Sequence, residues 1–332
     1  MSSLRDRLAT AARYVRLEAA DRRAGRDLRL VLDRRHRIGP GEILLVACLR
    51  NEAFRMEAFA DHYRRLGVRH FLLIDNDSED GFMDWAGAQP DVSVWRTSAS
   101  YRESAFGMLW CNDLLRRHGE GRWVVCVDPD EFLVHPFMET RDLAALGAFL
   151  DEERRPSLPC VMLDAYSDRP LSETVLGPGD DPFEVCPFFD RDGYVQHAGW
   201  GRGTAIQGGP RMRVHFRDAP RLAPALNKIP FVRWRRHCHY RSSMHDAWPF
   251  ALNRVDDPEA VTGALFHFKF VASLRDKAAE EARRAQHYAD GREYARYREE
   301  DRATFHAEGI SVRYEGPEQL VELGLIHPGR WF

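Results

Sequence analysis

A chain of 332 residues with 48 Lys and Arg, 51 Asp and Glu and a net charge of −3 can bury a large core, and its near balance excludes the polyelectrolyte character of a nucleic-acid-binding protein. Six scattered cysteines, with no pair at the two-residue spacing of a zinc knuckle or redox motif, leave Cys48, Cys126 and Cys160 to be read as small buried hydrophobes in a reducing cytosol. No apolar run reaches the length needed to cross a bilayer and the first residues lack a signal peptide's apolar core, so a cytoplasmic protein is expected.

In chain order, the first 37 residues carry eleven arginines against five acidic residues, with Leu4, Leu8, Ala11, Ala12 and Val15 at helical spacing. A basic helical extension is expected over residues 1–38. Packing on the domain is the leading reading, since the apolar face has no Trp or Phe; the alternative is peripheral contact of residues 1–37 with an anionic inner membrane face. After Gly39–Gly41, EILLVACLRNE is rich enough in Ile, Leu and Val to be a buried strand, and it ends in Arg50, Asn51 and Glu52. Phe54, Ala58, Phe59, Tyr63 and Leu66 then share one helical face, closed by Gly67. VRHFLLIDNDSEDG predicts a second strand ending in Asp75, Asn76, Asp77 and Ser78, and VSVW (residues 92–95) a third. ESAFGMLWCNDLLRRHG predicts a helix closed by Gly119, and RWVVCVDPDEF the fourth strand. A further helix opens at Thr140 and turns Leu143, Leu146, Phe149 and Leu150 inward.

Strands alternating with helices predict an α/β fold with a mostly parallel central sheet flanked by helices, and such sheets bind ligands at the carboxyl ends of their strands. Three polar clusters meet at that one edge. From Pro156 to Pro230 the chain is rich in Pro, Gly and aromatics, as binding loops often are, and pattern alone does not order it. CVMLDAY and GALFHFKF read as strands, and residues 273–306 as charged and helical.

VVCVDPDEFLV sets Asp128, Asp130 and Glu131 at the mouth of an apolar strand. Crowded carboxylates repel one another unless a cation neutralises them; the leading candidate is a divalent metal, with Pro129 stiffening the turn. GGPRMR offers Arg211 and Arg213, which would project to one side of an extended segment and grip an anion. Lys269 alternates with His267 and would share its strand face. His237 and His239 read as structural or acceptor-lining. Tyr166, Trp200, Trp234 and Trp248 could stack on sugar rings, with at least half of them core.

LRNEAFRMEAFADHYRRLGVRHFLLIDNDSEDG followed by WVVCVDPDEFLV resembles the family 2-like glycosyltransferases and the related family 92 group. The resemblance is specific over residues 43–136 and continues through LDAYSDRPL, GGPRMRVHF, NKIPFVRW and ALFHFKF. It implies the GT-A fold, with a catalytic domain at 39–272 divided into a nucleotide-binding half (39–136) and an acceptor half (137–272). Residues 273–332 would be a C-terminal helical segment packed on that domain. It also implies an Asp-x-Asp motif holding manganese or magnesium against the diphosphate of a nucleotide sugar. Asp128 would lie near the ribose and the metal and Asp130 would be the principal ligand, completed by a late histidine, His267 first and His245 second. Asn51, Glu52 and Asp75 would face the base and ribose, with Arg50 and Asp77 in the same donor site; from the residues themselves, Lys269 could neutralise phosphate, and Arg211 and Arg213 could meet a diphosphate or an acidic acceptor or serve as surface ion pairs.

The expected reaction is inverting transfer of a sugar from a nucleotide-diphosphate sugar, UDP-linked by preference, to a glycan or lipid-linked hydroxyl in cell-surface polysaccharide assembly. Asp164 or Asp246 would be the base. A metal-dependent phosphodiesterase or nucleotidyltransferase, or a noncatalytic sugar-nucleotide binder, would account for the same acidic clusters.

Overall fold

Two apolar cores lie on the two faces of a nine-stranded sheet in the computed structural model, which describes residues 4–198, 204–241, 243–253, 257, 259–273 and 304–332. The strands are β1 (Arg29–Leu32), β2 (Ile43–Leu49), β3 (Val68–Asp75), β4 (Val92–Arg96), β5 (Trp123–Cys126), β6 (Glu131–Val134), β7 (Ser157–Asp164), β8 (Phe188–Asp190), β9 (Val195–Ala198), β10 (Thr204–Gln207), β11 (Asn227–Arg233), β12 (His239–Tyr240), β13 (Ala247–Trp248), β14 (Gly263–His267) and β15 (Ser311–Arg313). The helices are α1 (Leu4–Ala24), α2 (Ala53–Arg65), α3 (Phe82–Ala88), α4 (Met108–His118), α5 (Leu143–Glu152), α6 (Pro182–Val185), α7 (Gly209–His215) and α8 (Pro317–Glu322).

The main sheet has the order β1-β4-β3-β2-β5-β11-β7-β14-β6. Strands β2, β3, β4, β5, β7 and β14 run one way and β1, β11 and β6 the other, so the expected mostly parallel sheet is present, in mixed form. Every residue of β2 is buried, Ile43, Leu45, Ala47 and Leu49 in one core and Leu44, Val46 and Cys48 in the other, which is why its sequence is continuously apolar. From β2 the chain moves outward through β3 to β4, then returns to place β5 on the other side of β2. Such a reversal opens a ligand-binding crevice at the carboxyl ends of β2 and β5.

VVCVDPDEFLV is not one strand. It breaks at Val127–Asp130, and β6 joins β14 at the outer edge of the sheet, so this short link runs along the carboxyl edge and aims its side chains there. Other boundaries differ too. α4 starts at Met108, after Gly107 turns the chain with φ 79°, and Asp142 rather than Thr140 caps α5 by accepting from the Ala145 N–H at 2.9 Å. β1 pairs with β4, so residues 29–32 belong to the domain and not to an extension ending at residue 38. α1 docks through Tyr14, whose hydroxyl donates to the Arg236 carbonyl at 2.6 Å, and through Asp21, 3.0 Å from His239. Among the described residues no helix is long and apolar enough to cross a membrane. At the other end, β15 pairs with β8 while Leu320, Ile326 and Trp331 enter the same core as Leu45, so residues 304–332 are part of the domain rather than a helical appendage. Residues 274–303, most of the predicted charged helix, lie outside the described residues. Cys48, Cys126 and Cys160 are buried, as expected of small hydrophobes, and Cys111, Cys186 and Cys238 are buried as well; all six are free.

Gly147, inside α5, tests how tightly this core is packed. A Cβ there would stand 2.8 Å from the Trp123 ring, which stacks on Phe231 at 4.6 Å. Alanine is the better helix former by about 1 kcal/mol, but overpacking a core costs roughly 1–3 kcal/mol. Gly147→Ala is therefore expected to lower stability in urea unfolding; a more stable variant would mean that Trp123 gives way.

Candidate functional site

Strand ends of both directions meet at the carboxyl edge. Asp164 ends β7 beside His267, which ends β14, and Glu131 opens β6 opposite that same histidine. Lys228 stands at the second position of β11, an antiparallel strand whose beginning therefore lies at the edge where β5 and β7 finish.

The cation beside Asp128 and Glu131 is this lysine. Its Nζ lies 2.7 Å from Glu131 and 3.7 Å from Asp128. The Lys228 and Glu131 side chains are only 4% and 1% exposed, whereas Asp128 keeps 40% of its surface open to the cleft. Burial alone would lower the Lys228 pKa, but Glu131 and then Asp128 outweigh it and the net shift is upward, so Lys228 is a full cation. Enclosure in the cleft, then Glu131, raise the Asp128 carboxyl above its ordinary range, with Lys228 opposing. Glu131 also closes the turn: its carboxylate accepts from the Asp128 N–H at 3.2 Å, while its own N–H donates to the Asp128 carbonyl at 3.0 Å.

Asp130 faces the other way. Its Oδ2 is 3.4 Å from His267 Nε2, and its carbonyl accepts from the Phe268 N–H at 2.8 Å. His267 Nδ1–H donates to Asp164 at 2.8 Å, and Arg211 Nε–H donates to the second Asp164 oxygen at 2.7 Å. Burial would depress the His267 pKa, yet Asp130 and Asp164 together raise it to about 9, so without a metal the ring is an imidazolium. For Asp164 burial pulls upward, but Arg211 and His267 prevail and hold its carboxyl below the usual value.

Several expected roles change on this geometry. Asp164 is buried with both oxygens committed and a lowered pKa, which suits orienting His267 and not accepting a proton from substrate. Asp246 is turned to Arg241 at 2.8 Å. GGPRMR is not extended: it forms α7, so residues two apart diverge, Arg211 to Asp164 and Arg213 to Asp190 at 2.9 Å. Lys269 lies two residues beyond the end of β14. His245 sits over the start of β11, its Nδ1 2.6 Å from the Asn227 carbonyl, and among the described residues no three metal-ligating side chains gather into a cage.

The nucleotide-half residues brace two loops against each other. Arg50 donates to the Asn76 carbonyl at 2.8 Å, and the Asn51 N–H donates to Ser78 Oγ at 3.0 Å. Asn51 adopts φ 53° there, a left-handed turn that Asn tolerates. Asp75 is fully buried, accepting from the Ser78 N–H at 2.8 Å and lying 3.4 Å from Arg96, which also holds Asp77 at 2.8 Å. Glu52 pairs with Arg55 at 2.9 Å, and Arg55 reaches across to the Phe268 carbonyl at 3.0 Å. Tyr166 and Trp234 are core, and Trp248 lies under Arg13 at 4.9 Å; Trp200 is outside the described residues. His239 is structural on Asp21.

Sequence reading missed Lys228, Arg96 and Arg55. The signal for Lys228 was a lysine inside the apolar NKIPFVRW, since a buried ammonium requires a carboxylate partner.

Among the described residues, one pair has the spacing that two ligands of a metal ion would have. Two neighbouring ligands of a six-coordinate ion, each about 2.1 Å from it, stand about 3 Å apart, close to the 3.4 Å between Asp130 Oδ2 and His267 Nε2. A carboxylate behind a ligating imidazole, as Asp164 is behind His267, orients the ring and raises its basicity.

No family model matches the chain, and no curated protein matches it.

Two outcomes are expected. Lys228→Met should lose about 3–5 kcal/mol by leaving Glu131 buried without its counter-charge, and Glu131→Gln added to it should restore part of the loss in urea unfolding. The His267 pKa is raised on folding, so its contribution is complete below the unfolded value of about 6.5 and is lost as pH climbs through about 9. Melting temperatures of the metal-free protein should therefore decline over that window, and His267→Asn should flatten the decline.

Proposed function

We propose that the protein is a metal-dependent, inverting glycosyltransferase of GT-A type, transferring a sugar from a nucleotide-diphosphate sugar to a glycan or lipid-linked hydroxyl. The observation that carries this reading is the Asp130–His267 pair, backed by Asp164 and Arg211, at the carboxyl edge next to the β2/β5 crevice. The resemblance of residues 43–136 supports it, as do the predominantly parallel sheet and the braced loops after β2 and β3, which form the crevice wall where a base and ribose would sit.

Asp130 and His267 are the residues that would hold manganese or magnesium. When bound, the ion supplies positive charge to the diphosphate as it departs. The chain's own residues do the rest. Arg211 and Asp164 keep the His267 ring in place. Lys228 and Glu131 lock the turn that separates Asp128 from Asp130, and Asp128 presents its half-open carboxyl to the cleft. Arg55 ties the loop after β2 to the exit of β14.

A thermal-shift screen of UDP, GDP and CDP and their sugars, with and without manganese, tests this on the wild type and on Asp130→Ala. One nucleotide should stabilise the wild type only with manganese, by an increment growing with the logarithm of ligand concentration, and the variant should lose the effect. Manganese must displace the Nε2 proton of His267, so its affinity should rise between about pH 6.5 and pH 9 and binding should release protons. A shift from manganese alone, with none from any nucleotide, would instead favour a metal-dependent phosphodiesterase or nucleotidyltransferase.

A further inference from the structure

His245 occupies a place that its sequence neighbours do not explain. It ends a turn that leads into β13, and its backbone N–H donates to Ser243 Oγ at 3.2 Å. Its ring Nδ1 lies 2.6 Å from the Asn227 carbonyl. A carbonyl only accepts, so Nδ1 carries the proton, and in the neutral ring Nε2 is left as a lone pair. Nε2 meets no hydrogen-bond partner among the described residues, and the residue is part-buried. The ring therefore keeps a basic nitrogen without a partner beside the start of β11.

The sheet order defines which part of the cleft. Asn227 opens β11, which lies between β5 and β7, and the next residue is the Lys228 that reaches Asp128 and Glu131. The loops assigned to base and ribose follow β2 and β3, on the far side of β5. His245 thus lies beside the start of β11, on the other side of β5 from those loops, within electrostatic reach of Lys228, Arg211 and His267. In an inverting displacement the attacking hydroxyl arrives opposite the departing diphosphate, and a donor seated on the loops after β2 and β3 would leave the β11 side for the acceptor. The two carboxylates first considered are engaged elsewhere, Asp164 with His267 and Arg211, and Asp246 with Arg241.

We propose that His245 is the general base of the transfer, a role that rests on the glycosyltransferase reading above. The acceptor O–H proton passes to Nε2 as the acceptor oxygen bonds to the anomeric carbon. The bond from that carbon to the diphosphate oxygen breaks, its electron pair leaves with the nucleoside diphosphate, and the proton on Nε2 is later lost to water. Nδ1–H stays on the Asn227 carbonyl throughout and fixes the ring. In the ligand-free protein burial, then the Lys228 charge, keep the imidazole neutral and ready to accept. Arrival of an anionic diphosphate beside Lys228, Arg211 and His267 offsets those positive charges and strengthens the base.

Hydrolysis of the donor, with water as acceptor, needs no knowledge of the natural acceptor. Wild type, His245→Asn and His245→Gln would be assayed for nucleoside diphosphate release from UDP-, GDP- and CDP-sugars with manganese, beside nucleotide affinity and melting temperature. We expect kcat to fall by about 10²–10⁴-fold, with the manganese-dependent nucleotide Kd changed by no more than about twofold. We also expect loss of the low-pH limb of the rate profile and partial rescue of His245→Ala by added imidazole. A variant rate within about threefold of wild type would overturn the assignment, as would a parallel loss of manganese and nucleotide binding, which would mark His245 as a ligand. A wild type that binds none of the nucleotides would sink the glycosyltransferase reading itself, and the base assignment with it.

Discussion

The ion pair between Lys228 and Glu131 is the constraint on which the candidate site depends. Neither charge could stay in this interior alone, because the cost of dehydrating an ammonium or a carboxylate is several kcal/mol and is offset only by a close partner. The 2.7 Å contact meets that condition. Glu131 spends its second oxygen on the Asp128 N–H, so the same carboxylate that neutralises the lysine also closes the Asp-Pro-Asp-Glu turn. Since the turn is the whole link between a central strand and the outer edge of the sheet, fixing it lays Asp128 and Asp130 along the edge where the parallel strands end.

A second set of buried charges orders the rest of that edge. Arg211, Asp164, His267 and Asp130 form a chain in which each group is held by the next, with positive and negative charges alternating. It is stable as it stands, and it is also one proton away from offering a carboxylate and an imidazole nitrogen to a cation. A neighbouring network is purely architectural. Arg213 grips Asp190, Tyr166 donates to the same carboxylate at 2.5 Å, and Ser311 joins the Tyr166 hydroxyl at 2.7 Å, fastening the last part of the chain to α7 and β8. Two arginines that look alike in the sequence thus have different work, because a helix turns successive alternate residues apart.

Much of the first half was legible because its signals are local. Continuous apolar runs such as ILLVACL identify strands buried on both faces, and the residues that interrupt them identify the carboxyl edge. The acidic turn was visible for the same reason, but its cation was not. Asp128 and Lys228 are far apart in the chain, and only the antiparallel insertion of β11 beside β5 brings them together. Arg55 is a similar case: its helix places it under the loop it follows, and its partner is a carbonyl beyond β14. Pattern reading also put the end of an extension at residue 38 and the start of a helical appendage at 273, where the structure has β1 in the main sheet and Trp331 in the main core.

The sequence by itself determined the α/β alternation, the burial of β2 through β5 and the presence of carboxylates at the ends of several strands, since these follow from hydrophobic periods of a few residues and from turn chemistry. Only the tertiary structure decided what each charge is for. Whether a carboxylate meets a lysine, an arginine or a histidine depends on which distant strands lie side by side. That order is set by how the two apolar cores fill on the faces of the sheet, a property of the whole chain that no short stretch of it carries.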